Sequence, residues 1–181
     1  MSRHLIRYST AFAMVGILVS APAMAAHPVP RAQYLQKSTQ AGTQTDKQLV
    51  FEGKRITVPV VAVAPASPDT TFEIHGKVNP TIILPAGAKV RFKLGNADGG
   101  MPHGLVVTSQ SPPYPDNVRE KIRPPLAGTG YVDRAKSKMH LQVAETGWFK
   151  LKPGTYYYVC PVPAHARNGM YGKIIVKATD G

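Results

Sequence analysis

The chain has 181 residues, with 22 Lys+Arg against 10 Asp+Glu, six His, one Cys and one Trp. That length holds one domain behind a leader and excludes a multidomain oxidase. A hydrophobic content of 43% supports a packed core, while 16 Gly and 17 Pro break the chain too often for a long-helix bundle. The formal charge of +12 suits anionic partners and carries no information about fold.

Residues 1–25 read as a secretory signal peptide. Arg3, His4 and Arg7 make a basic start, and Ala11 to Val19 is an apolar run too short to span a bilayer comfortably. Ala23-Met24-Ala25 fits a small-x-small cleavage site, so the expected cut after Ala25 leaves residues 26–181 without stable membrane insertion. Loss of Arg3 and Arg7 brings the net charge to about +10. Export places the chain in the periplasm. There the single Cys160 has no partner for an internal disulfide. It is a buried thiol, a nucleophile or a metal thiolate.

Residues 26–48 are polar and read as a loosely ordered N-terminal arm with a short helix near 32–37. From Leu49 to Gly181 the texture is that of one β domain. Leu49–Phe51 and Arg55–Ala64 flank Glu52-Gly53-Lys54, a hairpin signal, and Pro59 marks an edge strand or bulge. Thr81–Leu84 leads into the turn Pro85-Ala86-Gly87. Lys89–Leu94 then alternates, placing Val90, Phe92 and Leu94 on one face. Gly104–Thr108, Met139–Val143, Thr155–Cys160 and Tyr171–Lys177 are further short strands. About seven or eight such strands predict an all-β antiparallel Greek-key sandwich. The proline-rich stretch 109–134 is expected to wrap one side of it as an extended connection. Its basic cluster Arg119, Lys121 and Arg123 has no interleaved aromatic platform, which argues against nucleic acid. Trp148 is expected in the core, and His4, His27, His75 and His140 as surface or structural histidines.

The chemistry concentrates in Tyr156-Tyr157-Tyr158-Val159-Cys160-Pro161-Val162-Pro163-Ala164-His165-Ala166-Arg167-Asn168-Gly169-Met170. A thiol, an imidazole and a thioether stand at the spacing Cys-x4-His-x4-Met between two strands. Cys160 ends one strand, His165 sits on the loop and Met170 begins the next, so three donors converge with little chain to order. A second imidazole is needed, and His103, at a loop end before a strand, is placed to supply it. Two imidazoles, a thiolate and a weak thioether suit a single copper ion, whereas structural zinc prefers four strong ligands. Cys-x-x-Cys-His for c-type haem is absent.

Asn79-Pro80, Pro85-Ala86-Gly87-Ala88, Pro112-Pro113-Tyr114, Ala127-Gly128-Thr129-Gly130 and the segment from Gly154 to Ile174 together resemble the cupredoxins, the type 1 blue copper proteins. The match covers most of the chain after the leader and is nearest to the blue copper proteins of acidophilic iron oxidisers. It implies a Greek-key sandwich with His103, Cys160, His165 and Met170 as copper ligands. It also implies a monomeric electron carrier that is not an enzyme. Its partners would be c-type cytochromes or other redox proteins, in a respiratory chain oxidising Fe(II). Gly104 departs from the family, which usually has a polar side chain after the first ligand histidine. Copper oxidases and nitrite reductases need further His-x-His pairs and a second domain, and a thiol hydrolase needs an oxyanion hole. The remaining alternative is a periplasmic copper-binding or delivery protein. The three methionines after the leader, Met101, Met139 and Met170, are few for one.

Overall fold

The computed structural model describes residues 24–30, 34, 44–45, 47–62, 70–137 and 140–178. The leader up to residue 23 and most of the expected helix near 32–37 lie outside them. In chain order the strands are β1 (Met24–Pro30), β2 (Gln44–Thr45), β3 (Gln48–Val50), β4 (Arg55–Ala62), β5 (Phe72–Ile74), β6 (Lys77–Val78) and β7 (Thr81–Pro85). They continue with β8 (Lys89–Asn96), β9 (His103–Thr108), β10 (Ala127–Val132), β11 (His140–Glu145), β12 (Gly154–Val159) and β13 (Tyr171–Lys177). A six-stranded sheet runs β1-β11-β8-β4-β5-β6, and a seven-stranded sheet runs β10-β9-β12-β13-β7-β3-β2. The sandwich is as expected, and the strand count exceeds seven or eight. The additional strands include the two- and three-residue pieces β2, β5 and β6, which are too short to show a period.

The sheets are mixed rather than purely antiparallel. β4 runs parallel to β8, and β7 runs parallel to both β3 and β13. The turn at Glu52-Gly53-Lys54 is real, with Gly53 at φ 106°. It does not make a hairpin: β3 lies in one sheet and β4 in the other. The turn at Pro85-Ala86-Gly87 crosses between sheets in the same way. Such crossings let apolar faces of consecutive strands meet across the core. Val90, Phe92 and Leu94 are buried there as the alternation of β8 predicts. The rings of Phe72, Tyr158, Phe92 and Phe149 form a row, with neighbouring centroids 5.7–6.1 Å apart.

Three segments depart from expectation. Within residues 109–134, Ala127–Val132 is a true strand, an edge paired with β9 and offset by a register shift. Trp148 is on the surface, 36% exposed, with the guanidinium groups of Arg55 and Arg91 at 4.4 and 4.8 Å from its ring centroid. The described residues of the polar segment 26–48 include strand residues in both sheets. His27 to Pro30 pair with β11 through His27↔Val143 and its successors, beyond the expected cleavage point at Ala25.

Tyr34 is buried. Its hydroxyl accepts the N–H of Val60 at 3.1 Å and lies 2.7 Å from the Val60 carbonyl oxygen and 2.5 Å from that of Lys93. Lys93 is the register partner of Pro59, which has no N–H to donate. The hydroxyl thus enters the β4–β8 ladder beside the position where proline removes a donor. The ring packs on Gly95, where an added Cβ would stand 3.1 Å from its Cζ. Tyr34→Phe should cost ~1–3 kcal/mol by stranding backbone groups in the interior, read from urea denaturation. No loss would mean that water substitutes for the hydroxyl.

Candidate metal centre

One pole of the sandwich gathers the start of β9 and the loop between β12 and β13. The last residue of β12 pairs with the first of β13, Val159↔Tyr171. One step further, the Cys160 N–H donates to the Met170 carbonyl at 3.0 Å, and the Met170 N–H donates to the His165 carbonyl at 2.9 Å. The loop between them is braced by its own backbone: His165 N–H to Val162 O at 3.2 Å and Asn168 N–H to Ala164 O at 2.9 Å. From outside, the Ala164 N–H reaches the Asp116 carbonyl at 2.8 Å, and the Asn79 side-chain amide donates to the Gly169 carbonyl at 3.0 Å. Ala164 itself sits at φ 66°, a left-handed conformation costing a non-glycine residue ~1–2 kcal/mol.

This frame brings three of the four predicted residues to one point. The ligand atoms of His103, Cys160 and His165 all lie within 4.8 Å of one another. Cys160 Sγ is 3.9 Å from His103 Nδ1 and 3.5 Å from His165 Nδ1. A first-row metal at ~2.0–2.3 Å from N and S donors in a trigonal plane would hold them ~3.5 Å apart, so the opening fits such an ion. Met170 is fully buried in the same apolar cluster as Cys160 and is joined to it through the backbone.

Asp98, which sequence reasoning missed, fixes the tautomer of His103. Its Oδ2 lies 2.9 Å from His103 Nε2, and an ionised carboxylate can only accept, so Nε2 carries the proton and Nδ1 keeps its lone pair for a metal. Burial alone would raise the Asp98 pKa, but hydrogen bonds from His103 and from the N–H groups of Gly100 and Met101 outweigh it and hold the carboxyl below its ordinary range. The other oxygen, Oδ1, closes the turn by accepting the Gly100 N–H at 2.6 Å. Beside it, buried Asn96 donates to the carbonyls of Met101, Val132 and Asp133 and accepts the Asp98 N–H at 2.8 Å. The only trace of this in sequence is the turn-forming string Asn96-Ala97-Asp98-Gly99-Gly100, which marks a loop without marking its chemistry.

Gly104 has a packing reason. A Cβ there would stand 2.7 Å from the Gly130 carbonyl oxygen and 2.9 Å from the Pro161 ring. The cross-ties that a polar side chain at this position would make come instead from Asn96, from the Thr129 hydroxyl accepting the Leu105 N–H at 3.1 Å, and from the Tyr131 hydroxyl on the Pro161 carbonyl at 3.2 Å.

Burial pushes the Cys160 thiol up to about 11, against the pull of hydrogen bonds from the Gly104 and Val162 backbone. A metal therefore has to displace a proton to bind. His103 and His165 are both depressed: His103 by burial, opposed by Asp98, and His165 by burial and by proximity to His103. His165 is buried but is the most exposed of the donors, at 4% against 0% for His103, Cys160 and Met170. Two neutral imidazoles and a thiol in a dry pocket make a soft donor set that suits copper.

The sulfocyanin (SoxE) domain family matches residues 44–179. Rusticyanin of Acidithiobacillus ferrooxidans is 41% identical over 143 residues, 79% of this chain and 88% of its own length. The chain belongs to the rusticyanin and sulfocyanin family of cupredoxins. Rusticyanin of Acidithiobacillus ferridurans is 39% identical over 165 residues, 91% of this chain and 84% of its own. The structure of reduced rusticyanin superposes with a TM-score of 0.75 at 34% identity, covering 84% of this chain and all of that one. A 1.27 Å rusticyanin structure does the same over 87% of this chain. The family consists of electron-transfer proteins rather than enzymes, and the three converging donors here are what such a protein needs.

Two measurements check this centre. A histidine with a depressed pKa is neutral when folded and takes up a proton on unfolding. Its stability contribution is full above ~6.5 and is lost as pH falls from there toward the folded value. The metal-free protein should therefore melt at lower temperature as pH drops below ~6.5, and metal loading should raise the melting temperature. Gly104→Ala should destabilise by ~1–3 kcal/mol through overpacking and perturb the metal spectrum, because the Gly130 backbone cannot give way freely.

Proposed function

We propose that the protein is a periplasmic one-electron carrier with a single type 1 copper, serving a respiratory chain fed by Fe(II). His103, Cys160 and His165 would hold the metal, and Met170 would add a weak thioether donor. The observation that carries this reading is the convergence of the three donors in a pocket where Asp98 leaves His103 Nδ1 free to ligate. Membership of the rusticyanin and sulfocyanin family supports copper, and one solved rusticyanin structure is described as that of a copper protein. The pathway and compartment rest on that kinship and on the leader-like residues 1–25, cut after Ala25 on export. Among the described residues no helix is long and apolar enough to cross a membrane.

Copper, when bound, supplies a one-electron couple between Cu(I) and Cu(II). The chain does the rest. Its self-braced loop keeps Cys160, His165 and Met170 in place, so the donors need little rearrangement between oxidation states. Burial keeps water from Sγ. His165 is the donor nearest solvent, flanked by exposed Pro163, half-buried Ala164 and buried Ala166. These small neighbours let a c-type cytochrome or another redox protein approach its ring closely.

The copper-loaded protein should show an intense thiolate-to-Cu(II) band. Cys160→Ser should abolish it, and a blue Cys160→Ser variant would remove Cys160 from the site. Met170→Leu should stay blue and raise the potential by on the order of 60 mV, a tenfold change in the relative affinity for the two oxidation states, because a thioether favours Cu(II) slightly. An unchanged potential in a redox titration would remove Met170 from the donor set.

A further inference from the structure

The opposite pole carries a second feature. β12 and β13 run from the metal end at Val159↔Tyr171 to Gly154↔Val176, and Lys177 then pairs with Pro85 of β7. Strands of six and seven residues put that end ~20 Å from the donors. Here the turns at residues 53–55 and 85–89, with Lys150, line a cleft of about 610 Å³. Its charged lining is Lys54, Arg55, Lys89 and Lys150, all exposed, and among the described residues no carboxylate lines it. Among the described residues none of the four forms a salt bridge, although Arg91, Lys93, His103 and Arg167 do.

The arrangement is held, not incidental. Arg55 and Lys89 are register partners on parallel strands ~4.8 Å apart, so two like charges leave neighbouring backbones side by side, which destabilises a sheet. The Lys89 N–H donates to the Lys54 carbonyl at 2.9 Å, which ties the two turns together. Arg55 stacks over Trp148, which limits the freedom of its guanidinium. A pre-positioned guanidinium fork beside three ammonium groups matches phosphate oxygens, the fork by paired hydrogen bonds and the lysines as point charges.

We propose that this cleft binds a polyanion carrying at least two phosphate groups. Its source is either a condensed inorganic phosphate or the phosphate headgroups of a lipid surface. An occupant there would hold the protein by its back and leave the His165 face free for redox partners. Nothing in the inference requires copper, so it stands or falls separately from the proposed function.

The test is titration of sodium tripolyphosphate into the 15N-labelled full-length protein at about 0.15 M salt, where loose surface charge is largely screened. Saturable shifts should be confined to residues 53–55, 86–89 and 150. Lys54→Gln/Lys89→Gln/Lys150→Gln should bind at least ~10-fold more weakly while folding no less stably. Lys121→Gln/Arg123→Gln, altered on the other basic loop, should bind like the parent. Phosphatidylglycerol vesicles, with phosphatidylcholine vesicles as control, separate the sources. Binding lost in the triple variant and displaced by tripolyphosphate identifies headgroups, whereas binding of tripolyphosphate alone identifies free condensed phosphate. Shifts spread over the whole basic surface, an undiminished affinity in the triple variant, or no saturable binding of either probe would overturn the inference.

Discussion

The closure of the loop from Cys160 to Met170 is the constraint on which the rest depends. Its neck is a continuation of the β12–β13 ladder: after Val159↔Tyr171 comes the bond from the Cys160 N–H to the Met170 carbonyl. Because the ladder is part of the sheet, the spacing of the thiol and the thioether is set by the sheet. The loop interior is then filled with its own backbone hydrogen bonds, so His165 inherits its position from the same frame. A donor set fixed this way does not rely on the metal to assemble it, and the strain at Ala164 is borne by surroundings that over-determine the turn.

His103 reaches the site from another part of the chain and needs different control. It begins a strand but follows the loop from residue 97 to 102, so the backbone alone leaves its ring free to choose a tautomer. Asp98 removes that choice, and Asn96 holds the Asp98 turn against β10 through the Val132 and Asp133 carbonyls. The bareness of Gly104 belongs to the same arrangement. Close approach of Gly130 and Pro161 brings β10 against the ligand loop, and side-chain oxygens and nitrogens one step removed do the cross-tying. A residue's departure from a family pattern is here compensated by neighbours rather than left as a gap.

The sequence was most legible where the physics is local. The spacing of Cys160, His165 and Met170 lies within a single loop, and the alternation of Val90, Phe92 and Leu94 lies within one strand. Both were readable without tertiary information. The destinations of the strands were not. A turn such as Glu52-Gly53-Lys54 has the same residues whether it folds a strand back on itself or carries it to the facing sheet, and only long-range pairing decides. Asp98 was hidden because aspartate before glycine is ordinary turn chemistry. Tyr34 was hidden because its partners, Val60 and Lys93, lie 26 and 59 residues away along the chain. Trp148 is on the surface rather than in the expected core because two guanidinium groups supply there the partners that burial would have supplied.

The way the sheets end has a consequence for crowding. β1 closes one edge of its sheet and carries Pro28 and Pro30, which offer no N–H to an added strand. The far edge of that sheet is β6, only two residues long, as is β2 on the other sheet. β10, the fourth edge, is broken by a register shift between Gly128 and Tyr131. Among the described residues, each of these four end strands is therefore a poor template for strand addition. Edge-to-edge pairing between two copies of this protein is therefore disfavoured along these four strands.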